Sequence, residues 1–564
     1  MPHIPRRVKA CIPWLAAVLC AGLLELPFPI AGPLPFGRAV FAWFGLVPLL
    51  CAILSKDAIR HRHPLRHAFL ISYLCGFLWY TGNCYWVRDT MAKYGDLPAV
   101  VPVLLLIGFS LVLGLYFGFF GLALALVRQR TGSTRIALAA TPFFWVALEL
   151  AAARITSVPW DQLGYSQIDN ALVNQLAPWT GVYGISFLLV AVNALMAGGF
   201  VIDRCPPRPF WQSPKPWGIA GILLMMAGAC GLFVTPSHPT PTASAVLIQP
   251  NLDVSGDNKW SGPGEWEQHI AGFNHLAGEQ CKSFINGIPQ TEAPVVVPQC
   301  PSPAANPHAD VIVWPESPAP FDESDPRFES ALASIAQSAH AAVIVGNIGW
   351  TRDAQTEEWN YFNSALVVGS DGARVGRYDK IHLVPFGEYI PFANLLRFAH
   401  KLTGRVSRFS RGDGAKVFRL ATTKDGAHRF GVFICYESVF ADEVRHFAQL
   451  GAEVLVNISD DGWYGDTSAP WQHLNMARMR AVENRRWLLR DTNNGITAVI
   501  DPYGRVRQSI PRHQTDALPA GYAFRDDVTF YTAHGDLFAW LCAILALGLV
   551  GWAGRKLLRQ AVAS

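Results

Sequence analysis

Charge is scarce in this chain: Asp, Glu, Lys and Arg make up 16% of 564 residues, and the formal net charge is +4. So small an excess says little about partners by itself, and its distribution along the chain says more; no nucleic-acid partner is expected. Also missing are the short patterns that hold cofactors and metals. The chain has no GxGxxG, no phosphate-cradling P-loop, no HExxH, no CxxC and no His/Cys cluster at metal-ligand spacing. Neither a cofactor nor a metal is therefore expected. No internal repeat of roughly 20–50 residues is present.

What the chain has instead is apolar length. It is 51% hydrophobic, with a mean hydropathy of +0.22. Crossing a bilayer takes roughly 20 mostly apolar residues, and eight runs qualify: 10–27, 38–54, 67–87, 98–127, 136–154, 179–202, 217–234 and 535–554. The expected organisation is a membrane domain of seven transmembrane helices at 1–234, an α/β domain at 243–530 and an eighth helix at 535–554. Basic residues crowd alternate connections: Arg6, Arg7 and Lys9; Lys56, Arg60, Arg62 and Arg66; Arg128, Arg130 and Arg135; Arg204, Arg208 and Lys215; Arg555, Lys556 and Arg559. By the positive-inside rule both termini are cytoplasmic and the large domain faces outward. A cleaved signal peptide is the alternative for the first run, but no small-x-small site follows it, so an anchor is preferred.

Most of the 11 cysteines lie in apolar runs, where a small buried hydrophobe is the ordinary reading. Only Cys281, Cys300 and Cys435 fall in the outward domain. Cys281 and Cys300 bracket a Pro-rich stretch and would form a local disulfide in an oxidising compartment, leaving Cys435 as the unpaired thiol.

Between the spans, β-rich runs alternate with helical patterns. Strands are expected at 244–251, 310–316, 341–348, 362–369, 373–380, 416–421, 429–435, 453–459 and 495–501, and helices at 326–340, 438–450 and 470–487. Fully apolar runs such as Val311-Ile-Val-Trp314 suit strands covered on both faces of a layered α/β domain.

Three of these runs end on chemistry. Asp310–Glu316 leads to the Glu316 carboxylate, Gly376–Lys380 to the Lys380 amine, and Arg429–Cys435 to the Cys435 thiol, followed by Tyr436 and Glu437. A thiol attacks as thiolate, so it needs a base, for which Glu316 is the candidate. A tetrahedral intermediate carries an oxyanion, which Lys380 and the Tyr436 backbone N–H would stabilise. Glu388, eight residues past Lys380, would orient the ammonium.

Trp314-Pro-Glu316, Tyr378-Asp-Lys380, Pro385-Phe-Gly-Glu-Tyr389, Cys435-Tyr-Glu437, Asn457–Asp466 and Gln472–Glu483 occur in that order, and the set resembles the nitrilase (carbon–nitrogen hydrolase) superfamily. With the eight spans, the chain resembles the membrane-bound branch that acylates lipoprotein N-termini. The resemblance covers nearly the whole chain. It implies an αββα nitrilase-like sandwich beside a multi-pass α-helical domain, placed in the bacterial inner membrane with the catalytic domain in the periplasm. It also implies a ping-pong reaction: Cys435 takes an acyl chain from a phospholipid, and a diacylated apolipoprotein accepts it. Glu316, Lys380 and Cys435 are the implied catalytic residues, with Glu388, Tyr436 and Glu437 in support. Trp260 resembles a loop tryptophan of the family and, with Trp463 and Tyr464, would meet the acyl chain or lipid. A monomer is expected.

Plainer readings stand beside these. Cys435 could be a buried structural cysteine, Glu316 and Lys380 plain strand-end charges, and Glu388 and Glu437 members of structural ion pairs. Trp260, Trp463 and Tyr464 are as consistent with core packing or interfacial anchoring. Arg478, Arg480, Glu483 and Arg485 read as a salt-bridged helix face, and Val158–Gln167 as an outward loop touching either the domain or a lipid. The main rival function is a membrane-tethered amidase acting on a small C–N substrate, for which one span would suffice. A transporter or receptor would need charges paired across the spans, which offer few. The 278–308 segment looks like an insertion, and Tyr464 stands where Phe is often expected in the family.

Overall fold

Alternate residues along the first strands enter different cores, which is how a period of two builds layers. The computed structural model describes residues 6–202, 239–254, 309–316, 323–389 and 409–563, apart from residues 36, 96, 253, 354, 356, 386 and 423–425. The expected seventh span, the 278–308 insertion, Trp260, Cys281 and Cys300 lie outside the described residues. In β1 (Ala243–Gln249), β2 (Val311–Val313), β3 (Ala342–Arg352) and β4 (Trp359–Val368), residues such as Ala245, Val313, Ile344 and Val367 face one core. Their neighbours Val246, Ile312, Val343 and Leu366 face another. The second core is closed by the helix Pro326–Ala339, whose Phe328, Leu332, Ile335 and Ala339 form one apolar stripe.

β5 (Arg374–Asp379) and β12 (Asp516–Tyr522) complete this sheet, in the order β12-β1-β2-β3-β4-β5. The second sheet has the order β11-β10-β9-β8-β7-β6. Its strands are β6 (Val417–Thr422), β7 (Gly426–Ile434), β8 (Val454–Ser459), β9 (Leu488–Thr492), β10 (Thr497–Ile500) and β11 (Val506–Ile510). At the centre of each sheet run three parallel strands, β1-β2-β3 in one and β7-β8-β9 in the other. The sheets pack face to face: Phe430 of β7 lies 6.4 Å from Tyr522 of β12, ring centre to ring centre. On the far side of the second sheet, Phe433 meets Phe447 of the helix Ala441–Gln449 at 5.9 Å. The layered α/β sandwich expected from the sequence is what forms.

All nine expected strands occur, with shifted ends, and three more join them. β9 was hidden by Arg490 and Asp491, charges that the structure buries completely. β12 was hidden by Pro519 and Gly521, ordinarily strand breakers. β11 is short and largely exposed.

Among the described residues four helices are long and apolar enough to cross a membrane: Val100–Thr131, Thr134–Ile155, Val182–Val201 and Leu537–Arg555. Their outward faces carry Leu104, Leu111, Phe119, Leu541, Ile544 and Leu547, a surface that hydrocarbon rather than water would stabilise. Of the other expected spans, 10–27 corresponds to a helix at Arg6–Glu25 and 67–87 to one at Pro64–Asn83. Residues 38–54 form a 3-10 turn at Arg38–Trp43 and then a short helix at Val47–Leu54.

The helix Ala469–Asn484 joins the two halves and is buried on nearly every side. Arg480 makes a bidentate pair with Glu483, at 2.7 and 2.9 Å, and donates to the Tyr165 hydroxyl at 2.9 Å. Glu483 in turn accepts from the backbone N–H of Val182, an otherwise unpaired donor at the start of the membrane helix Val182–Val201. The Arg480–Glu483 pairing matches the salt-bridged reading, but the pair is buried at a domain junction. Glu483→Ala should cost about 3–5 kcal/mol by stranding the Arg480 charge. Removing the exposed Arg352–Glu357 pair should cost at most about 1 kcal/mol. Thermal unfolding of both variants in detergent checks the contrast.

Candidate active site

Parallel strands put their C-terminal ends on one side of a sheet, and the facing sheets bring two such edges together. Glu316 follows β2, Lys380 follows β5 and Cys435 follows β7. Lys380 Nζ lies 3.0 Å from Glu316 Oε1 and 3.0 Å from Glu388 Oε1. All three side chains are buried, Lys380 to 1% exposure. The Lys380 backbone is pinned on both sides, its N–H donating to Asn363 O and its carbonyl accepting from Gly412 N–H, each at 2.9 Å. Gly412 approaches so closely that a Cβ there would collide with the Asp379 carbonyl.

Cys435 is reached by a sharp turn. β7 ends at Ile434 and Cys435 takes a φ of 48°, a left-handed conformation costly for a residue with a side chain. The turn is held from two directions. Glu437 accepts from Ile434 N–H, Ile381 N–H, His382 N–H and the Tyr378 hydroxyl at 2.6–3.1 Å, tying the end of β7 to the segment after Lys380. His473 Nε2 lies 3.1 Å from the Cys435 carbonyl and 2.7 Å from Ser438 Oγ, while its Nδ1 lies 2.9 Å from Asp461. Arg490 completes this buried cluster at 2.8 Å from Asp461.

The electrostatics follow from burial and pairing. Burial alone would lower the Lys380 pKa, but Glu316 and Glu388 outweigh it and hold the ammonium charged well above its ordinary range. Burial, reinforced by the Glu316 carboxylate, pushes the Cys435 thiol well above its ordinary value against the pull of Lys380. The resting residue is therefore a thiol that needs a base. Burial also raises Glu437, to about 7, against its four donors and Lys380. Asp460, next to Glu316, is raised by burial and by that carboxylate, whereas Arg490 and His473 overcome burial to hold Asp461 below the carboxylate range.

Glu316, Lys380, Glu388 and Cys435 thus share one buried site. Tyr436 turns toward the membrane half, its hydroxyl donating to Ser157 O at 3.2 Å. Glu437 braces the backbone and is fully occupied doing so. Tyr464 is buried between Trp86, Trp160 and His473 at centroid distances of 5.3, 5.9 and 5.7 Å. Trp463 is 48% exposed and packs edge-on to Tyr94 of the membrane half at 5.1 Å. The loop Val158–Gln167 does touch the domain: Trp160 Nε1 donates to Gln472 Oε1 at 2.8 Å.

Sequence reasoning missed Asn363, whose amide donates to Glu316 at 2.7 Å and to Glu388 at 2.6 Å. It also missed the Asp460 N–H, which donates to Glu316 Oε2 at 2.9 Å, and His473 with its partners. Asn363 sits mid-strand without a motif, so no local signal marks it. Asn457–Asp466 and Gln472–Glu483 were noticed as motifs, and two or more buried charges in each were the available signal.

Two family models match the chain: the apolipoprotein N-acyltransferase N-terminal domain over residues 20–195, and the carbon-nitrogen hydrolase over residues 245–518. A protein of Geobacter metallireducens named apolipoprotein N-acyltransferase is 35% identical over 561 residues, covering 98% of this chain and 96% of that protein. One of the same name from Vibrio cholerae is 31% identical over 512 residues, covering 88% of this chain and 91% of its own length.

A thiol held up by burial and a neighbouring carboxylate should resist alkylation at neutral pH. The iodoacetamide rate at Cys435, read by peptide mass spectrometry, should keep rising from about pH 7 past pH 9, the ordinary thiol range. A plateau between about pH 6 and 8 would instead reveal a preformed thiolate. Asn363→Ala should lower kcat about ten-fold or more by freeing two carboxylate oxygens in the buried site, with little change in KM.

Proposed function

The chain belongs to the apolipoprotein N-acyltransferase family and is an acyltransferase, and from that premise we propose that it N-acylates the terminal S-diacylglyceryl cysteine of apolipoproteins. The acyl donor is a membrane phospholipid, and the chain passes through a thioester on Cys435. One observation carries this reading: a buried Glu–Lys–Cys site is joined to the membrane half by the same helix that braces it. On Ala469–Asn484, His473 contacts the Cys435 carbonyl while the adjacent Gln472 donates to Pro29 O and Asn83 O at 3.1 and 3.2 Å. An enzyme acting on small soluble amides would have no use for that junction.

In the first half-reaction Glu316 takes the thiol proton as sulfur bonds to the ester carbonyl carbon. Lys380 and the Tyr436 N–H stabilise the oxyanion, a contribution of about 3–4 kcal/mol per donor at such sites. The ester C–O bond breaks, Glu316 returns the proton to the departing alkoxide, and a lysophospholipid leaves. In the second half-reaction the acceptor's neutral α-amine attacks the thioester and Glu316 takes a proton from nitrogen. Collapse forms the amide and expels the thiolate, which Glu316 reprotonates. Glu388 and Asn363 keep Lys380 and Glu316 in register throughout.

The alternating basic connections support an eight-span topology with both termini in the cytoplasm and the catalytic domain on the periplasmic side of the inner membrane. Both substrates then diffuse in the bilayer beside the site. Trp463, exposed at the junction, suits a lipid-facing role.

Incubation with radiolabelled-acyl phospholipid should label the wild-type chain through a hydroxylamine-sensitive bond, and Cys435→Ala should remove the label entirely. Lys380→Met should reduce kcat by about 10²–10³. A labelled Cys435→Ala protein, or a lipoprotein N-terminal peptide with the same mass whether or not the enzyme is present, would overturn the assignment.

A further inference from the structure

Between the membrane helices and the loop that carries Trp160 lies a narrow, partly open pocket of about 40 Å³, room for one small group, that the acyl-transfer steps do not use. Its walls are mainly apolar and aromatic, with Trp79, Phe117, Trp145 and Trp160 among them. Two carboxyl groups, Glu149 and Asp161, also line it, and among the described residues no Lys, Arg or His does. Asp161 is 1% exposed and takes a φ of 48°. Its Oδ2 accepts from Asn83 Nδ2 at 3.0 Å, whereas Oδ1 has no hydrogen-bond partner. Glu149, across the same pocket, is held more firmly. Its Oε1 accepts from Trp145 Nε1 and Leu163 N–H, both at 2.8 Å, and the Ser186 hydroxyl adds a weaker contact to the same carboxyl group.

A buried carboxyl group with one oxygen unpaired in an apolar wall, as at Asp161, is costly unless something completes it. Aromatic faces around carboxylates form the environment that recognises an ammonium group, by cation–π attraction and charged hydrogen bonds together. The cavity also adjoins the chemistry. Trp160, one of its walls, stacks on Tyr436 at 6.4 Å and on His473 at 6.2 Å, and these two flank the Cys435 turn.

From this we infer that the cavity is a binding site for the primary ammonium group of a lipid-anchored substrate, received by Asp161 and Glu149 between the aromatic walls. The inference rests on the acyl-transfer reading for the kind of substrate present. Two such groups qualify by chemistry: the amine of an aminophospholipid headgroup, and the α-amine of the acceptor.

The test uses the full-length protein in nanodiscs and non-reacting ligands, with binding read by native mass spectrometry. One arm compares diether phosphatidylethanolamine with diether phosphatidylglycerol of equal chain length. The other compares a diacylglyceryl-cysteinyl peptide bearing a free α-amine with its N-acetylated form, without donor lipid. Wild type should prefer the amine-bearing member of one pair by about ten-fold, the worth of a charged hydrogen bond. The pair that discriminates identifies the source. Asp161→Asn and Glu149→Gln, each nearly isosteric, should each reduce the preference several-fold, and whichever variant folds is sufficient. Equal wild-type binding within both pairs overturns the inference, and so does a folded variant with its preference intact. Because no ligand turns over, these outcomes are independent of acyl transfer. Failure of the acyl-transfer reading would appear instead as an unlabelled wild-type Cys435 with ester lipid.

Discussion

One ammonium group between two carboxylates sets the terms for the catalytic half of this molecule. Lys380 is sealed from water, which by itself depresses its pKa, and Glu316 and Glu388, each 3.0 Å away, outweigh that burial and hold it charged. Their presence brings a cost of its own, two anions in a dry site, which Asn363 and the backbone N–H groups of Asp460 and Val384 offset by donating to them. Those donors come from β4, from the end of β8 and from the turn after Lys380. The charge cluster can therefore persist only if both sheets are in register. Catalytic geometry and fold are here the same constraint.

The thiol is treated in the opposite way. Burial and Glu316 push its pKa up, and the pull of Lys380 does not overcome them, so no thiolate is stored. That division suits transfer to an amine. In the proposed reaction, a thiol ionised only as it attacks would stay unreactive in an idle enzyme, and the carboxylate that ionises it would remain available to deprotonate the amine later. The strained turn at Cys435 is held by His473 and Glu437, groups that touch the backbone on either side.

Membrane and catalytic halves meet through polar contacts inside an apolar junction. Arg154 with Asp442, Arg480 with Tyr165, Glu483 with the Val182 N–H, and Gln472 with Asn83 and Trp160 all cross it. Such contacts are directional, so they fix orientation as apolar packing alone would not. The catalytic edge accordingly stays beside the mouth of the membrane cavity. Its acidic, aromatic lining lies one ring from Tyr436.

Much of this was legible in the linear chain. Four of the eight apolar runs announced helices long and apolar enough to cross a membrane, because span length is set by bilayer thickness. Strands ending in Glu316, Lys380 and Cys435 were legible because a buried strand is apolar until its end, where a reactive group stands out. The structure alone decided the rest. That Asn363 bridges two carboxylates, that Arg490 belongs in a strand and that Glu483 caps a membrane helix are matters of pairing between residues 25 to more than 300 positions apart. Local sequence carries polarity and period, which choose elements and mark their ends. Which buried charge meets which is settled only when separate elements pack, since the low-dielectric interior penalises every arrangement that leaves one alone.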